Sequence, residues 1–80
     1  MLVAYVPEKL AKRFYSDPDF ILEAKCPYGK VESEFEHGDD LSSFDIEEEL
    51  LQNVIYPRVG ICQRCGKTVL VGYKPLRTEK

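Results

Sequence analysis

Apolar and polar positions repeat along this chain with two different periods, and the switches between them mark its elements. Residues 2–6 form a short apolar run that reads as a strand ending at Pro7. Proline suits the first position of a helix, where its missing N–H is not needed. Leu10, Ala11, Phe14 and Tyr15 then follow at helical spacing, with Glu8, Lys9, Lys12 and Arg13 on the opposite face. Ser16-Asp17-Pro18-Asp19 ends that helix. Over residues 20–26 the period drops to two, with Phe20, Leu22, Ala24 and Cys26 on one parity. After Pro27-Tyr28-Gly29-Lys30, residues 31–37 alternate again. Val31, Ser33, Phe35 and His37 take one face, and Glu32, Glu34 and Glu36 take the other. Two such runs joined by four turn-forming residues predict an antiparallel hairpin with Cys26 opposite Val31.

Beyond the Gly38-Asp39-Asp40 loop the helical period returns. Ser42 or Ser43 can cap a second helix whose first turns carry Asp45, Glu47, Glu48 and Glu49, where the helix dipole favours negative charge. Ile46, Leu50 and Val54 form its apolar stripe, widened by Leu51 and Ile55, and Phe44 packs at its entry. Pro57 ends it near Tyr56. Residues 59–61 and 67–73 are strand-like and flank a tight turn, giving a second hairpin. The tail after Pro75 is polar and expected to fray. The pattern predicts an α+β fold: a small antiparallel sheet of two β-hairpins with two short helices, all in a single domain over 1–80.

Size makes the turn chemistry important. A chain of 80 residues buries a modest fraction of its surface, so a metal, an oligomer interface or tight packing often supplements the core. An apolar fraction of 44% is enough for a packed core. The net charge of −3 argues against a general phosphate-backbone binder. Lys9, Lys12 and Arg13 form a local basic patch that reads first as a solvated helix face. Glu32, Glu34 and Glu36 form an acidic ladder, either a solubilising face or a docking surface for a basic partner. Glu47-Glu48-Glu49 point in different directions on a helix and do not converge on a metal. The N-terminal residues lack the basic region of a signal peptide, and no apolar run reaches membrane-spanning length. The expectation is a cytoplasmic protein with no membrane association. Three cysteines, an odd number, fit a disulfide framework poorly.

Ile61-Cys62-Gln63-Arg64-Cys65-Gly66-Lys67 is the chain's most specific stretch. Two thiols three positions apart can face one tetrahedral metal, and Gly66 can take the positive φ that such a turn requires. With strand sequence on both sides, this stretch resembles the knuckle of a zinc-ribbon or rubredoxin-like domain. Cys26-Pro27-Tyr28-Gly29 resembles the family's other knuckle, with Gly29 where the second thiol would stand. The resemblance implies a structural zinc held by Cys26, Cys62 and Cys65, with the fourth ligand open. His37, the only histidine, is a candidate. In the hairpin register, however, six residues of strand separate it from the level of Cys26 by about 20 Å. A core or sheet-end histidine is the competing reading. Two other readings of the cysteines are a ribbon that has lost its metal, with thiols buried as small apolar groups, and a thiol–disulfide pair at Cys62/Cys65. Redox Cys-x-x-Cys motifs open a helix, whereas Thr68-Val69-Leu70-Val71 are strand formers. Iron in the rubredoxin manner needs four thiolates.

No nucleophile elbow, phosphate loop or paired-carboxylate site is present, and Ser42-Ser43 reads as capping, so the chain is expected not to be an enzyme and to take no small-molecule substrate. The leading expectation is a regulatory or adaptor module that docks on a protein partner, on transcription or translation machinery by fold-level analogy. One alternative is nucleic-acid binding through Lys9, Lys12, Arg13, Arg58, Arg64 and Lys67, with Tyr28 or Tyr73 stacking on bases. Another is a thiol oxidoreductase with a rapidly alkylated Cys62.

Overall fold

The alternation at residues 31–37 becomes the central rib of the molecule. In the computed structural model, which describes residues 1–75, β3 (Glu32–His37) buries Ser33 and Phe35 and exposes Glu32, Glu34 and Glu36. The tail 76–80 lies outside the described residues. On one side β3 pairs antiparallel with β2 (Leu22–Lys25), with Leu22 opposite Phe35 and Lys25 opposite Glu32. This is the register expected from the turn length, and the bond from Cys26 N–H to the Val31 carbonyl extends it by one pair. On its other side β3 pairs with β4 (Ile55–Cys62), placing Phe35 opposite Cys62 and His37 opposite Gly60. β4 turns back into β5 (Thr68–Tyr73) as the expected second hairpin.

Both hairpins therefore belong to one sheet, and one further strand alters its character. β1 (Val3–Tyr5) lies parallel to β5, with Val3, Ala4 and Tyr5 paired to Leu70, Val71 and Gly72. The order is β1-β5-β4-β3-β2, a mixed five-stranded sheet rather than two purely antiparallel hairpins. The parallel pair follows from α1 (Glu8–Ser16), which carries the chain away after β1 and packs on β4 and β5. Ala11 and Phe14 are its two buried residues, as their spacing predicts. The Phe14 ring lies across Gly60, where a Cβ would sit 3.3 Å from its tip. Around it, Ala4, Val6, Leu22, Phe35, Val69 and Val71 form the core together with Cys26 and Cys62. Burying a phenylalanine this fully contributes about 2–3 kcal/mol.

The second helix is shorter than its stripe suggested. Leu41–Ser43 forms a single 3-10 turn, and α2 runs only over Glu48–Gln52, preceded by an extended Glu47 that makes no side-chain cap bond. Ser42 and Ser43 do not cap it. Tertiary contacts override the helical period at Val54 and Ile55. Ile55 is drawn into β4 opposite Tyr73, and Val54 is buried against Gly72. A register shift lies between Ile55 and Arg58, where Tyr56 takes φ 58° ahead of Pro57. This bulge absorbs the change from helix to strand.

Val54 packs directly on the backbone of Gly72. A Cβ on residue 72 would sit 2.0 Å from Cγ1 of Val54. Gly72→Ala is expected to destabilise the fold by about 1–3 kcal/mol through overpacking. Urea unfolding measures this, and replacing Val54 with alanine in the same chain should recover part of the loss.

Candidate metal centre

Two turns at one end of the sheet build the site, and each repeats the other's backbone. In the turn after β4, Cys62 N–H donates to the Lys67 carbonyl at 2.9 Å, and Gly66 N–H donates to the Cys62 carbonyl at 2.7 Å. In the turn after β2, Cys26 N–H donates to the Val31 carbonyl at 2.9 Å, and Lys30 N–H donates to the Cys26 carbonyl at 2.6 Å. The fifth residue has positive φ in both, 75° at Gly66 and 58° at Lys30. Gln63 N–H donates to the Glu34 carbonyl, tying the second turn to β3.

These turns bring the sulfurs of Cys26, Cys62 and Cys65 within 4.8 Å of one another. Cys26 and Cys65 are the close pair, with sulfurs 3.7 Å apart. Four sulfurs at about 2.3 Å from a tetrahedral zinc lie about 3.8 Å apart, so the spacing suits thiolate ligands of one ion. Cys26 and Cys62 are buried and Cys65 is exposed, which places the cluster at the surface end of the core.

Electrostatics at Cys62 favour a ligand sulfur. Burial pushes its thiol up, but hydrogen bonds from the Ser33 hydroxyl, from the backbone N–H groups of Cys65 and Arg64 and from the Cys65 thiol outweigh it, and the pKa falls to about 6. Cys65 moves the other way. The backbone N–H of Lys67 pulls it down, yet partial desolvation and the neighbouring Cys62 and Cys26 sulfurs raise it. A cation among them relieves that opposition, since metal ligation requires deprotonated sulfur.

Of the four candidate ligands, the structure brings three together. His37 lies further along β3, opposite Gly60, outside the cluster. Its ring stacks on Phe14 with centroids 4.1 Å apart, and Nε2 is hydrogen-bonded to the Phe14 carbonyl. A carbonyl accepts, so Nε2 carries the hydrogen, and it is the ring's place beside the end of α1, away from the sulfurs, that keeps it out of the cluster. The expected alternative, a sheet-end histidine, describes its place: it caps the last turn of α1 and ties the helix to β3.

Ser33 is the site residue that the sequence pattern did not single out. It stood only as a member of the core-facing row of β3. A small polar residue in an apolar row was the available signal, but its partner depends on the β3–β4 register. Its hydroxyl has a single hydrogen, which is directed at the Val31 carbonyl at 3.2 Å and reaches the Cys62 sulfur by rotation about the C–O bond. Tyr28 flanks the site with Lys67 Nζ 5.3 Å from its ring centroid. The residues after Cys65 enter strand β5 and not a helix, so the arrangement lacks the helix N-terminus of thioredoxin-type redox sites.

No family model, curated protein or solved structure matches this chain. Among the described residues, no helix is long and apolar enough to cross a membrane.

The placement of His37 gives a clear expectation. His37→Ala should lower unfolding free energy by about 1–2 kcal/mol through loss of the helix-capping bond and the stacked ring. Metal stoichiometry, read by native mass spectrometry, should stay unchanged. Loss of metal in this variant with the fold intact would restore histidine as a ligand.

Proposed function

We propose that this chain is a small non-catalytic interaction module whose two hairpin turns are pinned by a structural zinc ion in a zinc-ribbon-like site. One observation carries the reading: thiols from separate parts of the chain, Cys26 on one hairpin and Cys62 and Cys65 on the other, converge within 4.8 Å. Metal at that point cross-links the tips of two hairpins whose pairing already joins them along β3. Zinc suits the donor set because it accepts thiolates in tetrahedral geometry. When bound it supplies folding free energy and no reaction step.

Docking on a protein partner is the use that the remaining surface supports best. Glu23, Glu32, Glu34 and Glu36 are exposed on β2 and β3, and Glu23 stands directly opposite Glu34. Like charges paired across strands cost stability. A basic protein surface laid over them would offset that cost, in the manner of a regulator seated on a larger cytoplasmic assembly. Nucleic-acid binding has less support: Lys9, Lys12 and Arg13 sit on α1, Arg58 on β4, and Arg64 and Lys67 in the Cys62 turn. Arg13 is also paired with Asp17 and stacked over Phe20.

Native mass spectrometry should find one zinc per chain, and a chelator should lower the melting temperature. Cys26→Ser should lose zinc and unfold at a lower temperature, because one ligand of a structural site carries several kcal/mol. Full zinc occupancy in Cys26→Ser would sink the assignment. Glu34→Lys combined with Glu36→Lys should abolish partner capture while leaving zinc content unchanged and melting no lower, since the first exchange sets a lysine opposite Glu23.

A further inference from the structure

The two turns differ at one place that decides the coordination. Cys26 corresponds to Cys62, Lys30 to Gly66 and Val31 to Lys67, by the same pair of backbone hydrogen bonds and the same positive-φ residue. By that correspondence Gly29 occupies the position of Cys65. Building on the zinc reading above, we infer that the metal has three protein ligands and an open fourth position beside Gly29 that takes an external thiolate.

Space is the first argument. A Cβ at Gly29 would meet only Cγ2 of Val31, at 3.6 Å, an ordinary contact. The turn therefore has room for the side chain that a fourth ligand would need, and does not supply one. Gly29, Cys65 and Tyr28 are all exposed, so this side of the cluster opens to solvent. Among the described residues no further histidine, cysteine or carboxylate joins the three sulfurs, and His37 is bound to the Phe14 carbonyl.

Charge and donor softness identify the occupant. Three thiolates around a divalent zinc leave one net negative charge, which would oppose an anionic fourth ligand. Lys25, Lys30, Arg64 and Lys67 are exposed on or beside the same two turns and offset it, against Glu32 opposite Lys25 and Glu23 and Glu34, which line one cavity with Ser33 and Arg64. A sulfur-rich site selects soft donors, so an external thiol is the matching class. On binding, the thiol gives its proton to solvent and its thiolate takes the open position; no electron transfer occurs. The thiol belongs either to a small molecule or to a cysteine of a docked protein, and the chemistry at the metal is the same.

Cobalt substitution in the full chain tests this. Wild type should bind one Co²⁺, and titration with 2-mercaptoethanol should shift the visible bands and strengthen the sulfur-to-cobalt absorption, with a 1:1:1 protein–metal–thiol adduct in native mass spectra. A lysine-flanked cysteine peptide (acetyl-Lys-Cys-Lys-amide) should give the same shift at lower concentration than 2-mercaptoethanol if a basic protein supplies the thiolate; a shift with 2-mercaptoethanol alone assigns it to small thiols. Gly29→Cys should bind Co²⁺ more tightly by on the order of a hundredfold, one ligand's share of a four-thiolate site. Its spectrum should no longer respond to thiol. Gly29→Ser, which adds a Cβ without a thiol, should behave as wild type. A wild-type cobalt complex indifferent to thiol, a metal-bridged dimer formed without thiol, or unchanged affinity in Gly29→Cys would each overturn the open position. Failure of wild type to bind cobalt at all would overturn the zinc reading beneath it.

Discussion

β3 must pair on both edges at once, and the rest of the molecule depends on that. Its pairing with β2 sets Cys26 at the level of Val31, while its pairing with β4 sets Cys62 at the level of Phe35. Those levels are four residues apart, about 13 Å along a strand. In a flat sheet the two cysteines would also be separated by the width of β3 itself, and their sulfurs could not meet. They come together because the sheet curls and because the Cys62 turn reaches forward past the end of its pairing. Cys65, the far residue of that turn, is accordingly the one that approaches Cys26 to 3.7 Å. Right-handed twist supplies the curl. The tilt of the hairpins and the position of the site are thus one geometric fact.

Apolar packing maintains the curl from inside. Phe14 sits over Gly60, the residue of β4 paired with His37, and His37 stacks on the same ring while holding the Phe14 carbonyl. One aromatic residue therefore fixes α1 against β3 and β4 together, at the part of the sheet away from the sulfurs. Thiols at one end and a helix clamp at the other both hold β4 in place relative to its neighbours. This division explains why the only histidine is absent from the cluster despite lying on the core-facing row of β3. Strand register places it where the helix ends instead, and a helix C-terminus favours a donor in that position.

Local signals in the sequence carried what depends on neighbouring residues. The parity of residues 20–26 and 31–37, the four-residue turn between them and the Cys-x-x-Cys-Gly turn each determine geometry over a few positions, and each appears as expected. The β3–β4 and β1–β5 pairings were not legible, because edges separated by a helix or a long loop are matched by the whole core and not by any short pattern. α2 is shorter than its apolar stripe for a related reason. Leu50, Leu51, Val54 and Ile55 fit a helical stripe, but the bare backbone at Gly72 offers Val54 a better seat than another helical turn does. Position 29 shows the converse. A missing side chain in the motif was visible at once, whereas its meaning required the hydrogen bonds that equate the two turns.

A ribbon with neutral buried thiols would need no charge stabilisation at sulfur, yet Cys62 receives backbone N–H groups from Arg64 and Cys65 and the Ser33 hydroxyl. Donors aimed at a buried sulfur favour its anion. At Cys65 the Lys67 N–H pulls the pKa down, but desolvation, hydrogen bonds with the Cys62 and Cys26 sulfurs and the Cys26 charge together raise it. Without a cation the donors favour the anion at Cys62, while Cys65 stays raised despite the Lys67 N–H. With a divalent ion at the centre the repulsion between sulfurs becomes shared attraction, and the same N–H groups, Lys67 N–H on Cys65 included, act together. Donors that favour the Cys62 anion are compatible with a ligand sulfur in a group of three that lie within 4.8 Å of one another.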